Sequence, residues 1–150
     1  MQLTLYTDYS LRVLIYLETV PSNQLTSIKE IANAYQISYH HLTKVGHELA
    51  KLGLIESIKG RNGGIRLAKK PHEINIGWVV RHTEDNLTLV ECFDENSNQC
   101  VLSGHCRLKG ILHEALQAYL HVLDKYTLAD LTSNRSMLQE LLLSSQPPVE

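Results

Sequence analysis

Apolar residues recur every three or four positions through most of this chain, and short polar or glycine-rich segments interrupt them. This period is typical of helices that bury one face. The first such stretch predicts a helix that begins at a Thr7 cap, carries Asp8 at its positive end and stops before Pro21. Its inward positions are Leu11, Leu14, Ile15 and Leu17.

The next two predicted helices lie close together in the sequence. Ser27 and Glu30 match a capping box, which predicts a short helix over 28–35. Ser38 then caps a third helix that ends at Gly53. Two helices joined by a short turn are typical of a helix-turn-helix, whose second helix recognises DNA.

Two short apolar stretches, 54–59 and 65–67, flank the sequence Gly60-Arg61-Asn62-Gly63-Gly64. An Asn-Gly pair between such stretches predicts a β-hairpin, because both turn residues tolerate positive φ. A hairpin with a basic tip directly after a recognition helix is a wing.

The second half of the chain predicts further helices around an irregular loop. A helix over 74–84 precedes residues 85–105, which show no period, and a long helix over 106–126 follows. The apolar stripe of the long helix is roughly 30 Å in length, so we expect it to pack on a second copy of itself in a homodimer. Its positions are Leu108, Ile111, Leu112, Ala115, Leu116, Tyr119, Leu120 and Leu123.

Charge is unevenly distributed, although the whole chain carries only −2. Residues 40–70 hold seven Lys and Arg side chains against two Glu, whereas residues 71–150 hold eleven acidic and five basic ones. A basic recognition helix and wing favour binding to nucleic-acid phosphates. We expect neither a signal peptide nor a membrane span, because Asp8 and Arg12 interrupt the first apolar stretch, and therefore expect a cytoplasmic protein.

Side chains on the third helix and the wing can face DNA. Tyr39, His40 and Thr43 can reach base edges, and hydroxyl and Lys side chains can contact phosphates. Arg61 at the wing tip can enter a minor groove. The expected DNA-contacting residues are Ser38, Tyr39, His40, Thr43, Lys44, His47, Arg61, Gly63 and Gly64.

All three cysteines, Cys92, Cys100 and Cys106, lie in or beside the irregular loop. The polar residues between them do not resemble a hydrophobic core, and an odd number of thiols cannot pair completely in intrachain disulfides. Thiolates in a reducing compartment favour a soft metal centre, and an iron–sulfur cluster and a structural zinc site are the two alternatives. Asp8 and His105 are the candidates for a fourth ligand.

Several motifs resemble a known family. The chain opens with MQLTLYTDYSLRVLIYL, and the wing has the sequence KGRNGGIRLAKKP. The last cysteine leads into the long helix through HCRLKG, and residues 126–131 read YTLADL. Together they resemble iron–sulfur winged-helix transcriptional repressors over roughly residues 1–143, most of all the members that sense nitric oxide. Two features depart from that family: seven residues separate the first two cysteines, a longer gap than usual, and Gly46 stands in the recognition helix where a bulky apolar residue is usual.

The resemblance implies a dimeric, DNA-binding repressor in which the three cysteines hold a [4Fe-4S] or [2Fe-2S] cluster. It also implies that Asp8 of the other subunit supplies the fourth ligand. Arg12 lies one turn after Asp8 and would orient its carboxylate or offset the negative charge of the cluster, whereas His105 would lie beside the ligands or in solvent. An enzyme is not expected, since we find no nucleophile–base pair, nucleotide-binding loop or paired-carboxylate motif in the sequence.

The sequence therefore predicts a mainly α-helical fold with a small β-hairpin wing, in which a winged helix-turn-helix is followed by a long dimerisation helix. The expected function is repression from a pseudo-palindromic operator under the control of nitric oxide. The alternatives are a sensor of iron or cluster supply with the same fold, and a zinc-stapled or electron-carrying protein with no DNA role. The expected units are a DNA-binding domain over 1–84, a cluster-binding loop over 85–105, dimerisation and C-terminal helices over 106–143, and a flexible tail over 144–150.

Overall fold

The computed structural model describes residues 1–144, and these residues are mainly helical. A two-stranded antiparallel sheet is the one sheet among them. The predicted fold class, mainly α-helical with a hairpin wing, is confirmed. In chain order the elements are α1 (Leu5–Thr19), α2 (Ile28–Tyr35), α3 (Tyr39–Lys51), β1 (Ile55–Ile58), β2 (Gly64–Leu67), α4 (Ile76–Thr83), α5 (Arg107–Asp124), α6 (Leu128–Leu131) and α7 (Arg135–Leu143), with 3-10 turns at Pro71–Glu73 and Glu91–Phe93.

Helix α1 begins three residues earlier than predicted. Thr4 stands at its N-cap, and the Thr4 hydroxyl accepts a hydrogen bond from the backbone N–H of Thr7 at 3.2 Å. The prediction that Thr7 is the cap is therefore wrong. Thr4 is fixed in turn by Glu84, whose Oε1 accepts from the Thr4 backbone N–H at 2.8 Å and from its hydroxyl at 3.0 Å. The start of α1 is thus tied to the end of α4.

The core of the winged helix forms where α1, α2 and α3 meet. Leu14 of α1 and Leu42 of α3 are fully buried there, as is Ile31 of α2. Leu128 of α6 and Leu142 of α7 belong to the same core, so the C-terminal helices pack against the first domain.

The helix-turn-helix forms as predicted. Both hydrogen bonds of the Ser27–Glu30 capping box are present, and Gln36 makes the turn in a left-handed conformation with φ 57°. Ser38 occupies the N-cap of α3, but its side chain makes no capping hydrogen bond. Gly46 is buried where α3 meets α2, and a Cβ there would lie 3.0 Å from Ile28 Cδ1. The glycine therefore lets the two helices approach closely.

The wing is a β1–β2 hairpin whose pairing runs from Ile55↔Leu67 to Ile58↔Gly64. Its turn differs from the predicted Asn62-Gly63 geometry, because the positive φ, 113°, falls on Gly60 instead. The N–H of Gly63 donates to Gly60 O at 3.0 Å, and a Cβ on Gly63 would lie 2.1 Å from Ile58 O. Gly63 is required for space rather than for its φ.

The apolar stripe of α5 divides into two faces. Leu116 and Leu120 are buried against Val80 of α4, whereas Leu108 and Ile111 are each 59% exposed. The expectation of a single stripe that packs wholly on another subunit therefore needs correction, since half of the stripe is used inside the chain. The exposed positions repeat as Leu108, Ile111, Ala115, Ala118 and Val122, alternating three and four residues apart.

Among residues 1–144, no helix has both the length and the apolar character needed to cross a lipid bilayer.

Helix α4 is shorter than predicted, because Asn75 is its N-cap and the Asn75 Oδ1 accepts a hydrogen bond from the Trp78 N–H. The predicted flexible tail lies outside the described residues, except for Ser144.

Candidate nucleic-acid interface and cysteine loop

The recognition helix presents a polar face to solvent. Ser38, Tyr39, His40, Lys44 and His47 are exposed, and Thr43 is half-buried. The Thr43 hydroxyl donates to Tyr39 O at 2.8 Å, so the same oxygen can still accept a hydrogen bond. The opposite face of α3 is buried through Leu42, Val45 and Leu49. All the side chains expected on α3 to contact DNA therefore lie outside the core.

The basic surface is smaller than the charge count indicates. Lys51 pairs with Glu48 at 2.7 Å, and Arg66 pairs with Glu56 at 2.5 Å. No carboxylate in residues 1–144 pairs with the other cations of the basic stretch. These are Lys44 on α3, Lys59 and Arg61 on the wing, and Lys69 and Lys70 after it. Arg61 is exposed at the wing tip beside the half-buried Gly63 and Gly64.

Two backbone hydrogen bonds attach the wing to the helix-turn-helix. The N–H of Ile65 donates to Thr26 O at 2.8 Å, and the N–H of Thr26 donates to Ile65 O at 3.1 Å. Thr26 directly precedes the Ser27 cap of α2. Because the wing and the recognition helix are fixed to the same helix pair, the two surfaces present one rigid, partly basic face.

The three cysteines are free thiols at different depths. Cys92 is buried in the 3-10 turn, Cys100 is half-buried, and Cys106 is half-buried at the N-cap of α5. Within residues 1–144, no three His, Cys, Asp or Glu side chains are grouped closely enough to hold one metal ion. A single chain therefore does not assemble the complete predicted site.

The loop that carries the cysteines is held by local hydrogen bonds. The Asp94 carboxylate accepts from Ser97 Oγ at 2.7 Å and from the Asn96 N–H at 3.0 Å, and these bonds hold the pKa of Asp94 below its ordinary value. The Cys100 N–H donates to Asn98 Oδ1 at 3.0 Å. Because such bonds span only two or three residues, the loop can change shape without breaking helices.

The donor chemistry of this loop fits an iron–sulfur cluster. Three soft thiols lie within fifteen consecutive residues, and the N-terminus of α5 at Cys106 favours negative charge. His105 is exposed beside Cys106.

Asp8 and Arg12 form the ion pair that their spacing predicts. Arg12 Nη2 lies 2.8 Å from Asp8 Oδ2, and Nε donates to Oδ1 at 3.1 Å. The side chains of both residues are about two-fifths exposed, so the carboxylate is accessible. Asp8 does not join the cysteines of its own chain in one metal-binding group.

Sequence reasoning missed Tyr35, at the end of α2. Its hydroxyl donates to Arg12 O at 2.9 Å, and its ring lies 5.9 Å from the Arg12 guanidinium carbon. Nothing in the local sequence distinguishes this tyrosine from an ordinary core aromatic, because its partner lies 23 residues earlier.

Comparison with known proteins gives consistent results. A family model described as Rrf2, an iron-dependent transcriptional regulator, matches residues 3–134. Proteins named HTH-type transcriptional regulator NsrR from Shouchella clausii and Bacillus subtilis are 66% and 57% identical to this chain over 142 residues. Those alignments cover 95% of this chain, and 95% and 97% of the two relatives.

Solved structures share the fold. The structure of CymR, the global cysteine regulator of B. subtilis, superposes with a TM-score of 0.73 at 30% identity, covering 89% of this chain and 98% of that one. IscR of T. potens superposes with a TM-score of 0.70 at 23% identity and covers 99% and 94% of the two chains. The second likeness concerns the fold alone.

Proposed function

The chain belongs to the Rrf2 family of iron-dependent transcriptional regulators, and from that premise we propose that it is a homodimeric repressor that senses nitric oxide through an iron–sulfur cluster. It is a DNA-binding transcriptional regulator and not an enzyme. Its operator is a pseudo-palindromic duplex, and it works in the cytoplasm, where thiols stay reduced.

The position of the cysteine loop carries this proposal. The loop leaves the winged helix at α4 and enters α5, so all three thiols lie between the DNA-binding domain and the helix with an exposed apolar face. A ligand that orders this loop changes how the two parts are joined. That arrangement suits a regulator whose DNA binding follows the state of a bound group.

The exposed face of α5 supports the homodimer. Leu108, Ile111, Ala115, Ala118 and Val122 alternate three and four residues apart, which is the spacing of a coiled-coil seam. A two-fold pair of α5 helices would present two recognition helices to successive major grooves, about 34 Å apart.

Cys92, Cys100 and Cys106 would hold the cluster through their thiolates, and Asp8 of the partner subunit would fill the remaining position. A carboxylate is a hard ligand on soft iron and is easily replaced. Bound there, the cluster would supply iron that reacts with nitric oxide. Arg12 holds the Asp8 carboxylate outside the chain's own core, where a second subunit can reach it.

A change in the shape of the cysteine loop would alter DNA binding through the packing of α4 on its neighbouring helices. The loop joins α4, which packs on α1 and α5, so a change in its shape shifts the winged helix relative to the dimer seam. The two recognition helices then no longer fit both half-sites, and repression is released.

Anaerobic purification and operator titration test this function. We expect coloured protein with iron and sulfide, salt-dependent binding to a palindromic duplex, and loss of that binding after nitric oxide is added. Colourless protein with zinc would support a structural metal site, and coloured protein that ignores the duplex would support an electron carrier. Release by iron chelation but not by nitric oxide would support a sensor of iron or cluster supply.

A further inference from the structure

Tyr35 joins the Asp8–Arg12 pair to the helix-turn-helix. It is the last residue of α2, and its hydroxyl donates to the backbone oxygen of Arg12 at 2.9 Å. Its ring lies 5.9 Å from the Arg12 guanidinium carbon and meets the Tyr16 ring edge-on at 6.2 Å. Tyr35 therefore contacts both the backbone and the cation of Arg12.

The Tyr35 hydroxyl is a hydrogen-bond donor at neutral pH, as the tyrosine hydroxyl ordinarily is, and burial only widens that pH range. Loss of solvent raises the pKa of Tyr35 well above its ordinary value, so the phenol stays protonated. On the other side of Arg12, the guanidinium holds the accessible Asp8 carboxylate. A continuous set of contacts therefore runs from an accessible carboxylate to the end of α2.

The turn after Tyr35 is short and tightly bonded. Gln36 is left-handed, and the N–H of Ile37 donates to Ala32 O at 3.0 Å. Ser38, the N-cap of the recognition helix, follows immediately. Only two residues separate Tyr35 from Ser38, so the position of Tyr35 constrains where α3 begins.

We propose that Tyr35 is a positioning residue that transmits the state of Asp8 to the recognition helix. This inference rests on the proposed function, in which Asp8 has an alternative partner in the second subunit. When the Asp8 carboxylate leaves Arg12, the guanidinium keeps the Tyr9 and Tyr35 rings as its partners, since both lie within 6 Å of it. The hydroxyl of Tyr35 ties that rearrangement to the backbone of α1.

The first test compares operator affinity in two states. Tyr35→Phe keeps the ring and removes only the hydroxyl, and Tyr9→Phe removes a hydroxyl from the other ring beside Arg12. The measured quantity is the ratio of dissociation constants for a palindromic duplex, cluster-free over cluster-loaded, with iron per chain determined in parallel. We expect Tyr35→Phe to reduce this ratio at least about fivefold, the lower end of typical coupling, and Tyr9→Phe to leave it unchanged.

This ratio of dissociation constants distinguishes a role for Tyr35 in coupling the cluster to DNA binding from a general effect on the stability of the protein. A purely structural role for Tyr35 would weaken binding equally in both states and leave the ratio at the parent value, which would overturn the inference while the proposed function stands. A parent ratio of one would overturn both.

The second test needs no cluster. In cluster-free protein, Asp8→Asn removes the ion pair and is expected to speed amide hydrogen exchange in the peptide over 33–40. In a Tyr35→Phe background, the same Asp8→Asn change should add little to that exchange, because the connection is already cut. Additive effects of the two substitutions would show that Asp8 and the turn are not coupled through Tyr35.

Discussion

Arg81 of α4 and Asp124 at the end of α5 form a two-point ion pair. Arg81 Nη2 donates to Asp124 Oδ2 at 2.9 Å, and Nη1 contacts Oδ1. Asn75 Nδ2 donates to the backbone oxygen of Asp124 at 2.8 Å. The end of α5 is therefore fixed to α4 by both a side-chain ion pair and a hydrogen bond to its backbone.

The ion pair should make stability depend on pH. The hydrogen bond from Arg81 lowers the pKa of Asp124 below its ordinary value. A lowered folded-state pKa gives stability that is present above the unfolded-state pKa and is lost as pH falls through the folded-state value. We expect Asp124→Asn to lower the Tm at pH 7, and the difference from the parent to shrink below about pH 4. Glu140→Gln, at an exposed acid of α7, is the control. A difference that does not narrow as the pH falls below the unfolded-state pKa would contradict the assignment.

A side chain at Gly77 should displace the Arg81–Asp124 ion pair. It lies one turn before Arg81, and a Cβ there would lie 1.9 Å from Asp124 Oδ1. We expect Gly77→Ala to displace the Arg81–Asp124 ion pair, and that loss should offset the gain in helix propensity and leave the variant about 1 kcal/mol less stable than a Gly→Ala change with open space around it. Gly110→Ala, on α5 with open space around it, should be neutral or stabilising by up to about 1 kcal/mol. Urea unfolding of the two variants measures the contrast, and equal effects would reject the close approach.

The wing tip should contribute to operator binding. Arg61 is exposed and has no carboxylate partner within the described chain, so Arg61→Ala should weaken binding and lower the salt slope by about one. Arg66→Ala removes the same charge from the same hairpin, but that charge is already paired with Glu56. We expect a smaller effect from it in titrations over a range of salt concentrations. An Arg61→Ala variant that binds as tightly as the parent across those salt concentrations would mean that the tip does not contact DNA.

Hydrogen bonds between residues close in the sequence could be predicted from it, and contacts between distant residues could not. Ser27 and Glu30 lie three residues apart, so their capping box was predicted and is present. The cap of α1 was misplaced, because Thr4 is supported by Glu84, 80 residues away. In the same way, the periodicity of apolar residues predicted helix α5. It could not show which of those residues pack inside the chain and which remain exposed.

At the candidate site, too, the sequence predicted relationships between nearby residues and missed those between distant ones. The sequence placed every thiol in one loop and paired Asp8 with Arg12, because both relationships are local. The contact from Tyr35 to Arg12 depends on how α2 packs on α1, and no spacing rule encodes it. Assembly of the metal ligands remains a prediction, since it requires a second subunit and the bound group.

The exposed face of α5 should form the dimer seam. Ile111→Glu places a charge at the centre of that face and should shift the protein towards monomer in sedimentation experiments. Gln117→Glu adds the same charge on the same helix away from the seam and should leave the dimer intact. Leu116→Glu should instead unfold the domain, since Leu116 is only 8% exposed within one chain. An Ile111→Glu variant that sediments as the parent does would reject this seam.

The cysteines should be individually required for the cluster. Cys92, Cys100 and Cys106 supply three thiolates, the fewest that can hold a cluster with one replaceable position. Each Cys→Ser change is nearly isosteric, so we expect folded protein that contains little iron or sulfide and does not respond to nitric oxide. Iron and sulfide per chain, measured after anaerobic purification, provide the test. A Cys→Ser variant that keeps the parent's full iron and sulfide would remove that cysteine from the ligand set.

Asp8→Ala and His105→Ala should separate the two candidates for the fourth ligand. Asp8→Ala removes a hard, exchangeable ligand that water or a thiol can replace, so the cluster should still form, with altered absorbance and a changed rate of reaction with nitric oxide. His105 is exposed beside Cys106, and two adjacent side chains rarely reach one metal, so His105→Ala should match the parent in spectrum and rate. Because Asp8 also pairs with Arg12, Arg12→Lys serves as a control that perturbs the ion pair and keeps the carboxylate. Loss of the cluster in His105→Ala, together with parent behaviour in Asp8→Ala, would replace the proposed ligand set with three cysteines and one histidine.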